Sequence, residues 1–176
     1  MPNPIAAALE RLAAVFRRRP EFAVHDDAPA TATWQRGTRV VASHAGGATV
    51  VTDMAAELGG SGEHPTPGWM FRAGIATCTA TRIAMEAALQ GIVLTSLEVV
   101  AGSTSDGRGF LGMPGDDGGA VPAGACEVRL DVRIAAAGVE EDRLRTLVEL
   151  SNRLSPMSSN IERSVPLLLR VTVDAR

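Results

Sequence analysis

The sequence predicts an α+β fold in which antiparallel strands cover one long, apolar helix. Short runs with period-two alternation lie between residues 30 and 53, and a sharper one covers 127–134. Between them, residues 67–90 form a helical segment with a start signal and a stop signal. The 176 residues are enough for one compact domain or for half of an intertwined dimer.

The first predicted element is an amphipathic helix over residues 1–19, which Pro20 ends. Four apolar residues recur there at helical spacing: Ile5, Leu9, Leu12 and Phe16. Residues 1–24 are therefore interpreted as a helix and linker that precede a domain over 25–176. The arginines at 17–19 follow the apolar stretch, whereas a secretory signal carries its positive charge before it. We interpret them as cations that offset the helix dipole.

Three short strands and a loop come next. Extended runs separated by glycine turns predict an antiparallel meander over 30–34, 39–43 and 49–52. The glycine-rich residues 57–65 are predicted to be a loop. Thr66 is a suitable N-cap and proline is tolerated at the first helical position, so a helix is predicted to begin at Pro67. Gly91 ends it.

One face of this helix consists of small residues at i+3 and i+4 spacing: Gly74, Thr77, Cys78, Thr81, Ala84 and Ala88. Such a face lets another backbone approach closely. It is too uniformly small and apolar to be left in water, so we expect it to be buried against a second helix or against its own symmetry mate. The sequence therefore predicts a homodimer with this helix in the shared core.

The second half begins with a predicted strand over 93–102 and a long, exposed connection over 103–124 that is rich in Gly, Asp and Pro. Apolar and charged residues then alternate without a break over 127–134, which is typical of a strand with one face in the core and one in water. Three elements complete the chain: a helix over 140–153, a short helical piece over 155–162 and a final strand over 166–174.

Composition excludes several classes of function. The net charge of −3 provides no basic surface for nucleic acid, and no apolar run is long enough to cross a membrane. All 17 basic residues are arginine, so lysine-based Schiff-base, pyridoxal and P-loop chemistry is absent. The three histidines and two cysteines are too far apart for a short metal-binding motif, so we expect no metal or other cofactor. Two distant cysteines also predict a reducing compartment, the cytoplasm by default.

Cys78 is the candidate nucleophile. It lies on the small-residue face one turn before Arg82, and a nearby guanidinium favours the reactive thiolate. The alternative is that Cys78 is a packing residue and that Arg82 pairs with Glu86 at i+4. Cys126 is in phase with the apolar residues of its strand and is interpreted as a core residue. Whether the two sulfurs can meet is left open by the sequence.

A succession of three stretches, followed by Gly91 and a strand, resembles the OsmC/Ohr family of thiol-dependent hydroperoxide-reducing proteins. The stretches are Val50-Val51-Thr52-Asp53-Met54, Gly59-Gly60-Ser61-Gly62-Glu63-His64-Pro65-Thr66-Pro67 and, on the helix, Ala73-Gly74-Ile75-Ala76-Thr77-Cys78-Thr79-Ala80. The similarity extends from about residue 30 to the predicted last strand. It includes the late helix with Ser155-Pro156-Met157, where the family often has Cys-Pro-Val.

The resemblance implies a homodimer in which two strongly curved antiparallel sheets wrap around two central helices, with the active sites at the subunit interface. It places Cys78 at the position of the peroxidatic cysteine and makes Arg39 or Arg36 the activating arginine. The chain departs from the family pattern at two positions. Ser155 stands where a second, resolving cysteine is expected, and the helix-start glutamate is missing, so that Glu63 is the candidate substitute.

Two functions follow from this resemblance. In the first, Cys78 reduces an apolar organic hydroperoxide, becomes a sulfenic acid and is regenerated by an external thiol. In the alternative, the protein is not an enzyme and binds a small hydrophobic molecule in a cavity at the dimer interface. A purely structural role for Cys78, with the fold serving a partner protein, is the least constrained interpretation.

Overall fold

The computed structural model describes residues 3–163 and 165–173, and its fold is α+β as predicted. The strands are β1 (Thr31–Arg36), β2 (Arg39–Ser43), β3 (Thr49–Thr52), β4 (Leu94–Ser105) and β5 (Ala125–Ala136). The helices are α1 (Pro4–Arg18), α2 (Pro67–Leu89), α3 (Gly107–Phe110), α4 (Glu141–Arg153) and α5 (Pro156–Glu162). Apart from the short α3, the order of the elements up to α5 is the one that the sequence predicts.

The strands form two small antiparallel sheets. The first has the order β1-β2-β3, with Val41 opposite Val51, and the second is the long β4-β5 pair, with Val99 opposite Val132. The alternation along β5 is confirmed, because its apolar residues are half-buried from Val128 onward and the charged residues between them are exposed. This second sheet therefore presents one apolar face for helices to cover.

The core lies between the second sheet and two helices. α2 packs against β4 and against α4, and five apolar residues are buried where they meet: Ile83, Ala87, Ile92, Leu144 and Leu147. Half-buried side chains of both strands, among them Val99 and Val132, pack against this cluster. The core thus fixes the position of α2 relative to the second half of the chain.

Both ends of α2 have the capping residues that the sequence predicts. The Thr66 hydroxyl accepts a hydrogen bond of 3.2 Å from the amide of Trp69, and Pro67 occupies the first turn. Beyond the last turn, Gly91 adopts a φ of 67°, which favours glycine. α1 is also present and packs against α2.

The small-residue face of α2 is only partly covered within one protomer. The helix turns Ile75, Thr79 and Ile83 into the core, all with no exposed surface, whereas Thr77 and Thr81 are exposed. The burial of the rest of this face against a symmetry mate stays a prediction, since a single protomer does not test it.

Two predictions for the second half need correction. No strand is found in the described part of 166–174: residues 165–173 have no regular secondary structure and no sheet partner, and residue 174 lies outside the described residues. A strand is stabilised by hydrogen bonds to a neighbour, and this segment has none in the protomer. The predicted connection at 103–124 is also shorter, because β4 continues to Ser105. Among the described residues, no helix is long and apolar enough to cross a membrane.

Candidate functional site

Cys78 lies near the middle of α2, half-buried, with a free thiol. Its sulfur accepts a hydrogen bond from the Ser155 hydroxyl, with Oγ 3.4 Å from Sγ. Ser155 precedes the first turn of α5 and has no exposed surface. The position at which the family resemblance expects a second thiol is therefore in direct contact with Cys78, and it carries a hydroxyl.

α5 can approach the Cys78 sulfur because the facing surface of α2 carries only small side chains there. Gly74 lies one turn before Cys78, and a Cβ built on it would be 3.5 Å from the terminal methyl of Met157. That is an ordinary van der Waals distance, so the absence of a larger side chain at Gly74 leaves room for α5. The small residues on this face thus allow the contact between Cys78 and Ser155.

The two arginines of α2 bind other partners. Arg82 forms an ion pair of 2.7 Å with Glu86, and Gln90 donates a second hydrogen bond to the same carboxylate. The alternative interpretation, in which Arg82 pairs with Glu86, is thus confirmed. Arg72 donates a hydrogen bond of 3.2 Å to the hydroxyl of Ser103 on β4. Within the described protomer, neither guanidinium is hydrogen-bonded to Cys78.

A second polar cluster forms around Arg39, at the start of β2. Nη2 of Arg39 donates to Glu63 Oε2 at 3.0 Å and to Ser61 Oγ at 3.1 Å, and Nε lies 3.5 Å from Asp53 Oδ2. The Arg39 side chain is 18% exposed, while that of Glu63 is 70% exposed. The loop before α2 therefore places a carboxylate on the arginine from the solvent side.

Asp53 binds Arg39 on the buried side of this cluster. It is 3% exposed, and its carboxylate accepts hydrogen bonds from the Thr38 hydroxyl, from the Ser61 hydroxyl at 2.8 Å and from the Met54 amide at 2.9 Å. The hydrogen bond from Thr38, followed by that from Ser61, holds the pKa of Asp53 well below its ordinary value. Asp53 therefore remains ionised and fixes the guanidinium of Arg39 beside it.

The structure separates the predicted site residues into two groups. Arg39 and Glu63 lie together, and Arg36 is exposed opposite Arg39 at the β1-β2 turn. Within the described protomer, none of these three side chains forms a hydrogen bond or ion pair with Cys78. Cys78 instead contacts Ser155, which the sequence indicates only through its position in the family pattern.

Sequence reasoning missed the role of Asp53 as the buried anchor of Arg39. One feature of the sequence could have indicated this role. Asp53 directly follows strand β3, and a carboxylate that is buried at the end of a strand needs hydrogen-bond or ionic partners. The interpretation of Cys126 as a core residue is wrong, because it is exposed near the beginning of β5. The phase of Cys126 is that of the core face, but the helices do not cover the sheet that far.

A cavity of about 230 Å³ is lined by residues of α2, α4, α5 and β5. Ile75 of α2, one turn before Cys78, contributes to its wall, as does Ser158 of α5, one turn after Ser155. Neither Cys78 nor Ser155 lines it, and Glu162 adds a carboxylate to its largely apolar wall.

The model of the OsmC-like protein family matches residues 60–170. No curated protein matches the chain in sequence. Solved structures with the same fold include an OsmC-like protein from Mycoplasma pneumoniae, with 13% identity, coverage of 80% of this chain and 91% of the other, and a TM-score of 0.66.

Two further solved structures are examples of the same fold. A putative osmotic stress induced and detoxification response protein from Psychrobacter arcticus has 16% identity, coverage of 78% and 90%, and a TM-score of 0.61. A putative organic hydroperoxide resistance protein from Vibrio cholerae, with captopril in one of its active sites, has 23% identity, coverage of 80% and 89%, and a TM-score of 0.54. At these identities the structures establish the shared fold. The family match covers most of the chain, so this chain belongs to the OsmC-like protein family.

Proposed function

We propose that this protein reduces organic hydroperoxides through Cys78. The observation that carries the proposal is the half-buried thiol on α2, which has a hydroxyl donor on its sulfur. A largely apolar cavity that includes Ile75, one turn before Cys78, adds support. Family membership supports the same chemistry, since several solved structures of this fold are named organic hydroperoxide resistance proteins. An apolar cavity favours alkyl hydroperoxides over hydrogen peroxide.

The first step is a two-electron oxidation of sulfur. The Cys78 thiolate attacks one oxygen of the hydroperoxide, an S–O bond forms and the O–O bond breaks. The leaving alkoxide takes up a proton and departs as the alcohol. Sulfur becomes a sulfenic acid, which is a reversible oxidation state.

The second step uses an external thiol. Ser155 cannot form a disulfide, and a thiol of low molecular weight therefore attacks the sulfenic sulfur and releases water. A second thiol attacks the resulting mixed disulfide and regenerates Cys78. Such thiols are abundant in a reducing compartment, which is the setting proposed for this protein.

We propose further that the functional unit is a homodimer whose sheets wrap around two copies of α2. Several large apolar side chains support this proposal because one protomer leaves them exposed: Trp34, Trp69, Phe71, Leu167, Leu168 and Leu169. Large apolar side chains are rarely left in water in such number. In the dimer, the guanidinium of Arg39 from one protomer, oriented by Glu63 and Asp53, faces Cys78 of the other and acts on its sulfur as a hydrogen-bond donor.

Mass spectrometry after a pulse of cumene hydroperoxide, with a sulfenic-acid trap present, tests the reaction. The Cys126→Ser variant should be labelled at Cys78 as the parent protein is, while Cys78→Ser should give no label and no peroxide consumption. Absence of label at Cys78 at millimolar peroxide would contradict the proposal. Light scattering tests the assembly separately, since a monodisperse species with the mass of one chain would rule out the dimer.

A second function is favoured by the cavity beside Ile75. In this alternative the protein binds a small hydrophobic molecule without converting it. The Cys78→Ser variant distinguishes the two, because it should then bind an apolar fluorescent probe as tightly as the parent protein, and neither should consume hydroperoxide. The peroxidase proposal instead requires peroxide consumption that disappears with the thiol.

A further inference from the structure

We propose that Ser155 is a positioning residue for Cys78: its buried hydroxyl holds the sulfur by a hydrogen bond and thereby sets the reactivity of the thiol. The inference rests on the proposed function, because it concerns the reactivity of the same thiol, but its test measures that reactivity without hydroperoxide. Ser155 lacks the thiol that the family pattern expects at this position, but its hydroxyl donates a hydrogen bond to the sulfur of Cys78.

The hydrogen-bonding pattern of Ser155 supports this role. A serine that precedes a helix usually caps it by accepting a hydrogen bond from an amide of the first turn. Ser155 occupies that position before α5, yet its side chain makes no capping bond. Its hydroxyl is instead directed across to α2, where it donates to Cys78 Sγ at 3.4 Å. The Ser155 side chain therefore bonds to a residue of α2, and α5 has no side-chain cap.

The neighbouring serines behave differently. Ser151, one turn earlier on α4, donates to the carbonyl of Leu147 at 2.7 Å, and Ser158, one turn later on α5, donates to Oδ1 of Asn152 at 2.8 Å. Both hydroxyls satisfy groups of the second half of the chain. Among these three buried serines, Ser155 alone donates to the sulfur.

Burial makes this hydrogen bond effective. Ser155 has no exposed surface, so water does not compete for its hydroxyl proton. A donor that points at sulfur stabilises the anionic thiolate more than the neutral thiol. After oxidation the hydroxyl cannot capture the sulfenic sulfur, and an external thiol completes the cycle.

The test compares three variants in the full-length protein: Ser155→Ala removes the donor, Ser155→Thr retains a hydroxyl, and Ser151→Ala removes a buried hydroxyl that does not touch sulfur. The readouts are the rate of Cys78 alkylation by iodoacetamide at pH 7 and the thiolate absorbance at 240 nm, both in the Cys126→Ser background. A lost hydrogen bond to a charged group predicts that Ser155→Ala slows alkylation about tenfold and lowers the absorbance. Ser151→Ala should match the parent protein.

Restored alkylation in Ser155→Thr would support the role of the hydroxyl. Equal rates and equal absorbance in Ser155→Ala and the parent protein would overturn the inference, as would an equal loss in Ser151→Ala. If Ser155→Ala does not fold, Ser155→Thr decides: it must keep the thiolate absorbance of the parent. The proposed function fails separately, since a parent protein that does not consume hydroperoxide still yields both readouts.

Discussion

Replacing Ser155 by cysteine should create a disulfide with Cys78. The two side chains already touch, with 3.4 Å between Oγ and Sγ, and the sulfurs need to approach to about 2 Å. The bond would join positions 77 residues apart. In the chain-entropy model, closing a loop of that length destabilises the unfolded state by about 4.5 kcal/mol, and native-state strain lowers this gain.

The measurement is urea unfolding of the oxidised and reduced Ser155→Cys variant, followed by tryptophan fluorescence, with Cys126→Ser in the background. Oxidation should raise the free energy of unfolding by about 2 to 4 kcal/mol. Ser158→Cys is the matched control, because Ser158 bonds to Asn152 and should not cross-link. Failure to form the disulfide under peroxide in Ser155→Cys, with both thiols intact by mass spectrometry, would refute the contact between α5 and α2.

Three further predictions concern other parts of the structure. Thr79 is fully buried and its hydroxyl has no hydrogen-bond partner, so Thr79→Val should raise the free energy of unfolding by about 1 kcal/mol, whereas the control Thr77→Val should not. The pKa of Asp53 is lowered by folding, so its contribution to stability is present above pH 4 and is lost as the pH falls further. Urea midpoints should therefore fall more steeply below pH 4 in the parent protein than in Asp53→Asn. Glu63→Gln weakens the ion pair that orients the Arg39 guanidinium, which the proposed dimer places at Cys78, and should slow sulfenic-acid formation several-fold, whereas Glu57→Gln, an exposed change before the same loop, should not.

Local signals predicted most of the fold correctly because the interactions that produce them are local. The start of α2 follows from the hydroxyl of Thr66 and the fixed φ of Pro67, and both act within one turn. The strand β5 follows from its alternation, since successive side chains point to opposite faces. The described residues of the predicted strand over 166–174 have no neighbouring strand in the protomer, so the local sequence alone does not make a strand.

In the candidate site, too, local sequence signals predicted some features and contacts between distant elements decided the others. The sequence singled out Cys78 and gave two equivalent arginines, because Arg36 and Arg39 are three residues apart on a hairpin and no pattern ranks them. In the structure the buried carboxylate of Asp53 lies 3.5 Å from Nε of Arg39, while the choice of the arginine that faces Cys78 stays a prediction. That distance depends on the pairing of β2 with β3 and on the path of the loop before α2.

By itself, the sequence determined the class of fold, the limits of the long helix, the family resemblance and the candidate thiol of the proposed reaction. Only the tertiary structure decided that the Ser155 hydroxyl meets the Cys78 sulfur, that Glu63 pairs with Arg39, and that Cys126 lies in solvent. Helix caps and alternation are set by neighbours within a few residues. Contacts between residues 24 or 77 positions apart depend on how whole elements pack, and local propensity carries no information about that packing.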